Sequence, residues 1–446
     1  MTVSLERMTW PAMDVPLERP VISHNELLRR CDALYERAGC DWVCVYGDKE
    51  HYANLLYLID FDPRFEEALL LLGPSSHRYL VAGSEGMIYG AGIGVCADLV
   101  HYQPFSLMGQ PLSSPSLDNL LRDVGMRQGD RVGMAGWKWQ ESAPDRPSYL
   151  PAVIVDAVEG VCGSDAVDVT RVLLDPGEGL RVTASATQIA QFEWGASRAS
   201  RGIMTVVRDS RAGVTEHELA SLLGYAGEPL STHFIISSSS GTLNGLRSAT
   251  SRTVNDGDAV VAGVGYWGGL CARAGLMTDT PPDGFITELV EPYFAAIAAW
   301  WAHVAIDVSA GELHSRALEP LQGATFGPLL NPGHLTSHDE WLHGFTSAGS
   351  GMRIRSGMTF QADIIPSPVR DGWAINCEDT LAIAGPELRG ELRTGFPDVW
   401  SRIEQRRSLM ASLGIVLHEE VLPLSTLPGF LPPLWADHEL ICTIRT

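Results

Sequence analysis

Three ionisable residues in the last third of the chain sit where charged side chains are uncommon. His334 follows Asn331-Pro332-Gly333 in a loop. Asp363 closes the apolar run Phe360-Gln361-Ala362 and is followed by Ile364-Ile365. Glu378 lies in Ile375-Asn376-Cys377-Glu378-Asp379-Thr380-Leu381. Ionisable groups among strand-forming apolar residues need a partner or a task. A lone carboxylate there keeps its proton to higher pH unless a cation meets it. A loop histidine can move protons or ligate a metal. One histidine with two carboxylates can also hold a single divalent ion with open positions. The competing expectation is ordinary core and loop residues with local partners. Asp379, on the other face of the same strand, is expected to be structural.

The elements that must position these residues follow from periodicity. Residues 22–38 read as an amphipathic helix, with Leu27, Leu28, Cys31 and Leu34 on one face. Strands are expected at 42–46, 66–72, 78–82 and 131–135, and a short helix at 116–124 behind Pro115. The segment up to about residue 170 therefore reads as a small α/β domain. The turn-rich stretch Leu174-Asp175-Pro176-Gly177-Glu178-Gly179 reads as the linker. A long helix is expected over 184–208. Thr215 and Glu218 then form a capping box that opens another helix. The same order recurs 94 residues later: a helix over 291–303, then Ser309 and Glu312. Strand-like segments follow each copy, at 234–237 and 259–266 and again at 358–365 and 373–383. Two related halves, each of two helices and a curved antiparallel sheet, would leave a cleft lined by His334, Asp363 and Glu378.

Composition narrows the function class. The 446 residues include 32 basic and 54 acidic side chains, a net charge of −22. That balance argues against nucleic acid, whose phosphates need a basic face, and against anionic membranes. The eight cysteines show no C-x-x-C spacing and lie mostly in apolar surroundings. They read as buried thiols in a reducing compartment, so a cytoplasmic protein is expected. No signal peptide is visible, and the apolar segment 293–306 is too short to span a bilayer. Residues 1–20, with three prolines, read as an arm. The serine run Ser237-Ser238-Ser239-Ser240-Gly241 lacks both the Walker lysine and the G-x-S-x-G elbow, and reads as a loop lining the cleft.

Taken together, several segments resemble the creatinase, prolidase and aminopeptidase P group, the pita-bread proteins of peptidase family M24. They are His51-Tyr52-Ala53-Asn54-Leu55-Leu56-Tyr57-Leu58-Ile59-Asp60-Phe61, Gly257-Asp258 before a strand, Pro332-Gly333-His334, Ser356-Gly357-Met358 and Glu378-Asp379-Thr380. The resemblance implies, after the arm over 1–20, an α/β domain of creatinase N-domain type over 21–173. Residues 174–446 would form an α+β pita-bread domain of pseudo-two-fold duplicated halves. It also implies a homodimer whose N-terminal domain reaches the neighbouring active site.

Metal-dependent members hold two ions with two Asp, one His and two Glu. Position by position, His334 matches the His, Asp363 the first Glu and Glu378 the second. The two Asp are absent: the first falls at Gly263 and the second near Leu270, and residues 259–278 contain no Asp or Glu. A dinuclear site needs bridging carboxylates to offset two divalent charges, so none is expected here. The cofactor expectation is no metal, or a single divalent ion on His334, Asp363 and Glu378. The further family His falls at Leu246, so the metal-free creatinase mechanism does not transfer directly.

The remaining candidates carry the same resemblance. His338 matches the family's second His, and His233, in Thr232-His233-Phe234, could stand in for the missing one. Arg273 stands where the family's strand ends in an Arg. Arg64 resembles the N-domain Arg that binds a carboxylate in a neighbouring subunit, a task suited to a guanidinium fork. The resulting expectation is a hydrolase acting on a C–N bond, amide or amidine, of a small amino-acid-like substrate. His334, His338 and His233 are its candidate catalytic residues, and Asp363, Glu378, Arg64 and Arg273 would bind substrate. The rival expectations are a mononuclear-metal Xaa-Pro aminopeptidase or dipeptidase, and a non-catalytic binding protein on the same fold.

Overall fold

The structure is a computed structural model that describes residues 2–142 and 145–445. It divides into two compact units, Ile22–Val182 and the combination of Met1–Val21 with Thr183–Thr446.

The Ile22–Val182 unit is built on a six-stranded mixed sheet. Its order is Asp98–His101, His77–Ala82, Ala68–Gly73, Trp42–Gly47, Val132–Ala135 and Val167–Asp168. The sheet core is apolar on both faces: Val43, Cys44, Val45, Leu69, Leu70 and Leu71 are all completely buried. The helix His24–Ala38 starts where Ser23 accepts the Glu26 N–H and stops at Gly39, which adopts the left-handed conformation glycine tolerates. In the His51-to-Phe61 motif, Asn54 has a structural task. Its Nδ2 donates to the Gly136 carbonyl at 2.9 Å, and its Oδ1 accepts from Arg181 at 2.8 Å.

The first twenty residues are not a free arm. Thr2–Arg7 pairs antiparallel with Leu440–Arg445, from Thr2 opposite Arg445 to Arg7 opposite Leu440. A local reading of the first twenty residues could not find this partner, because it lies at the far end of the chain. The division also falls at Val182, beyond the turn-rich stretch at 174–179.

In the second unit the long helix Ala186–Asp209 (α1) buries Ile189, Phe192, Ala196, Ala199, Ile203 and Val207. Each large apolar side chain removed from water contributes about 1.5–3 kcal/mol. Thr215 and Glu218 close a reciprocal capping box at the start of Glu216–Ser221 (α2). Glu291–His303 (α3) and Ala310–Leu318 (α4) follow the same order. At α4, however, Ser309 Oγ accepts the Glu312 N–H while no return bond from Glu312 is formed. The second copy is therefore a one-sided cap. Two further helices, Pro386–Gly395 (α5) and Pro397–Ser412 (α6), close the chain's last third.

The sheet of this unit carries the candidate residues. Its strands are Leu230–Ser239 (β1), Ala259–Tyr266 (β2), Gly269–Leu276 (β3), His334–Leu335 (β4), Thr359–Ala362 (β5), Asn376–Ile383 (β6) and Val421–Pro423 (β7). The order is β4-β5-β6-β3-β2-β1, with β7 also on β6. Strands β2 and β3 form a hairpin: Tyr266 pairs with Gly269 across the two-residue turn Trp267-Gly268, where Gly268 takes a positive φ of 91°. Among the described residues, no helix is long and apolar enough to cross a membrane.

Candidate active site

The pairing register sets the site. Glu378 on β6 stands opposite Ala272 on β3, and Ala272 stands opposite Gly263 on β2. On the other side, Ala362 pairs with Asp379, so the next residue, Asp363, comes level with Glu378. His334 on β4 pairs with Gln361 of β5. One row across β2, β3 and β6 and on to the residue just past β5 therefore reads Gly263, Ala272, Glu378, Asp363, with His334 beside its acidic end. The position facing Gly263 is Ala272 rather than Leu270, because the β2–β3 turn is only two residues long. Gly263 and Ala272 bring only a hydrogen and a methyl to this row and supply no ligand atom.

The backbone around His334 has little latitude. Gly333 holds a positive φ of 77°. A Cβ there would come within 2.8 Å of the Trp300 indole and 2.9 Å of the Gln361 carbonyl. Trp300 Nε1 donates to the Pro332 carbonyl at 2.9 Å, and Gly333 N donates to the Asp363 carbonyl at 2.7 Å. The loop that presents His334 is thus anchored on α3 and on the Asp363 backbone itself.

His334, Asp363 and Glu378 each offer one ligand atom, and these atoms all lie within 4.8 Å of one another. A fourth member is Glu340, from the loop after β4. Its Oε1 is 3.6 Å from His334 Nε2, while Glu378 Oε1 is 3.9 Å from the same nitrogen. All three carboxylates are less than a tenth exposed. Gln361 Nε2 donates to Glu340 Oε2 at 3.3 Å, and Thr380 Oγ1 lies 3.1 Å from Gln361 Oε1. Fully buried Tyr293 accepts the Cys377 N–H through its hydroxyl at 2.8 Å, next to the Glu378 position.

The electrostatics follow from this crowding. Burial pushes Asp363 up to about 7, against a hydrogen bond from Asn376 that pulls it down. Burial pushes Glu340 up to about 8, with Asp363 and Asp339 adding repulsion. Glu378 is driven well above the carboxylate range by burial and then by Asp363 and Glu340. His334 is lowered to about 4 by burial and is neutral near pH 7. His334 Nδ1 lies 3.3 Å from the Leu335 carbonyl. Donation there puts the proton on Nδ1 and leaves the Nε2 lone pair facing the carboxylates. Asp363 Oδ1 and Glu340 Oε1 are buried without a hydrogen-bond partner. The site thus gathers buried carboxyls that must either keep their protons or meet a cation.

The other predicted residues are placed elsewhere. Arg273 is completely buried with its donors engaged. Nη2 meets both Asp379 oxygens at 3.1 and 2.8 Å, Nη1 reaches the Glu378 carbonyl at 2.9 Å, and Nε reaches the Phe430 carbonyl at 3.1 Å. It braces the back of β6 and has no fork to offer a substrate carboxylate. Asp379 also accepts from Gly429 N, which makes it structural. His233 is exposed on the edge strand β1, with β2 and β3 between it and β6, and its Nε2 lies 3.1 Å from the Leu246 carbonyl. It does not replace the missing histidine in the cluster. Leu246 is itself three-quarters exposed. His338 is buried with its ring edge-on to Phe192 of α1, centroids 5.2 Å apart. Arg64, in the Ile22–Val182 unit, lies 3.4 Å from Asp62 and over the Tyr89 ring. Glu340, Gln361, Asn376 and Tyr293 were not predicted. The available signal for Glu340 was its carboxylate six residues after His334, but its burial depends on how the loop folds back.

The fit of metal ions can be judged from these donors. A pair of ions does not fit, because Gly263 and Ala272 supply no ligand atom. One ion fits His334, Asp363 and Glu378, two hard oxygen donors and one imidazole.

No protein-family model and no curated protein matches the sequence. Solved structures do match the fold. An X-Pro aminopeptidase from Thermotoga maritima is 15% identical with a TM-score of 0.65, covering 91% of this chain and 98% of that one. A Xaa-Pro dipeptidase from Bacillus anthracis is 14% identical with a TM-score of 0.62, covering 82% and 96%. A prolidase from Pyrococcus horikoshii is 16% identical with a TM-score of 0.62, covering 81% and 96%. Over most of its length the chain therefore carries the pita-bread fold of prolidases, Xaa-Pro dipeptidases and aminopeptidases P.

Proposed function

We propose that the protein is a hydrolase of a C–N bond, amide or amidine, in a small amino-acid-like molecule, and that its site holds one positive charge. The supporting observation is the convergence of His334 Nε2, Glu340 Oε1, Asp363 and Glu378 in a buried space where two acidic oxygens lack partners. Buried acceptors without donors call for a cation. In this reading Glu378 and Asp363 hold a cationic group of the substrate. His334 Nε2 takes a proton from water as the water oxygen attacks the substrate carbon. The departing nitrogen receives a proton from the Glu340 carboxyl, which has kept one. Proton return from His334 to that carboxylate completes the cycle, so the net change is addition of water across the C–N bond.

A second reading rests on the three ligand atoms within 4.8 Å. There His334, Asp363 and Glu378 would hold a single divalent ion, which would supply Lewis-acid chemistry to the same reaction. Glu340, adjacent to His334, would remain the proton carrier.

The test is release of amine or free amino acid from a panel of Xaa-Pro dipeptides, small amides and guanidino acids, with bound metal quantified on the same preparation. Turnover lost in His334→Ala and Glu378→Gln supports a hydrolase. Dependence of that turnover on one bound ion selects the second reading. Ligand binding that survives Asp363→Ala and Glu378→Ala, with no turnover across the panel, would sink both and leave a binding protein.

A further inference from the structure

Away from the sheet, a cavity of about 140 Å³ opens between the N-terminal segment, α6 and the loop after β7. Pro11, Asp14, Arg402, Arg406, Thr426 and Leu427 contribute to its wall. Two guanidinium groups there share a single carboxylate. Arg402 donates through Nε and Nη2 to the two oxygens of Glu193 at 2.8 Å each, and Arg406 Nη2 donates to Glu193 Oε1 at 2.5 Å. Glu193 is completely buried on α1, and the Arg402 and Arg406 side chains are 11% and 4% exposed. Two positive charges on one negative charge leave one buried cation in excess. Arg402 Nη1 and Arg406 Nε make no hydrogen bond among the described residues. The further acids that act on Arg402, Asp14 on the wall and Asp398 at the start of α6, are both exposed to solvent, which screens them.

An excess buried guanidinium charge beside a space large enough for several waters is costly unless an anion meets it. Guanidinium donors match the oxygens of phosphate and carboxylate better than chloride. We propose that this cavity is a binding site for a small oxyanion, inorganic phosphate or a small carboxylate, held by Arg402 and Arg406. Neither arginine belongs to the candidate active site. The bound anion would tie the N-terminal segment to α6 and to the 426–427 loop. The Leu427 carbonyl of that loop accepts from Arg273 Nη2 at 3.1 Å, so the site adjoins the scaffold behind β6.

The experiment is thermal unfolding and titration calorimetry of the full chain with sodium phosphate and with sodium acetate, against sodium chloride at matched ionic strength. A saturable rise in Tm with phosphate or acetate, absent with chloride, is expected. Arg402→Gln should weaken the apparent affinity at least tenfold. Asp14→Asn removes a carboxylate from the mouth and should strengthen it severalfold. If Arg402→Gln fails to fold, Asp14→Asn decides alone. Equal responses to all three salts, an Arg402→Gln protein that binds as well as the parent, or an Asp14→Asn protein with unchanged or weaker affinity would overturn the proposal.

Discussion

Asp363→Asn should make the metal-free protein more stable at pH 8. The side chain is 95% buried, Oδ1 has no hydrogen-bond partner, and burial lifts the carboxyl to about 7. In the unfolded chain an Asp titrates near 3.9. Between those two values the folded state binds more protons than the unfolded one, so stability falls as pH rises from about 4 to about 7 and then levels off. A separation of about three units, at about 1.4 kcal/mol each, sets a ceiling of about 4 kcal/mol. Glu340 and Glu378 share the same field, so a proton kept by one lowers the cost of ionising another, and the asparagine gain should be about 1–3 kcal/mol. Asparagine keeps the shape and adds an amide donor toward oxygens that have none. The assay is chemical denaturation of chelator-treated protein at pH 5 and pH 8. The variant should gain more at pH 8 than at pH 5. A variant less stable than the parent at pH 8, or a gain that does not change with pH, would refute the picture of uncompensated buried charge.

Arg273→Met should be strongly destabilising, by about 3–5 kcal/mol, because it leaves Asp379 buried without its fork; a denaturation midpoint within error of the parent would contradict the bracing role. Gly333→Ala should cost about 1–3 kcal/mol through the positive φ and the contact with Trp300, and should lower turnover by displacing His334; the far-ultraviolet spectrum checks that the fold persists. Metal analysis after incubation with Mn²⁺, Co²⁺ or Zn²⁺ should find no more than one ion per chain, and less in His334→Ala; two tightly bound ions would contradict the register that places Gly263 and Ala272 in the row.

Local pattern made much of this molecule readable. The helix over 291–303 is legible because a strong apolar segment precedes Ser309. The helix at 186–209 is legible because its apolar side chains keep helical spacing over six turns. His334, Asp363 and Glu378 stood out for a related reason: a charge inside a strand-like apolar run is conspicuous wherever it folds. That the row through Gly263 would carry no acid on this side was legible because residues 259–278 contain no Asp or Glu. The rest required the tertiary structure. Whether Ala272 or Leu270 faces Gly263 depends on the length of one hairpin turn, and a slip of one residue reverses a strand's faces. Arg273 seemed free for substrate until Asp379 and two loop carbonyls closed around it. Glu340 became part of the site only because its loop folds back on β4 and buries it beside His334. Thr2–Arg7 became a strand through a partner more than four hundred residues away. Composition and periodicity report what each segment would bury; which charges then meet is decided by the register and loop closure that bring distant segments together.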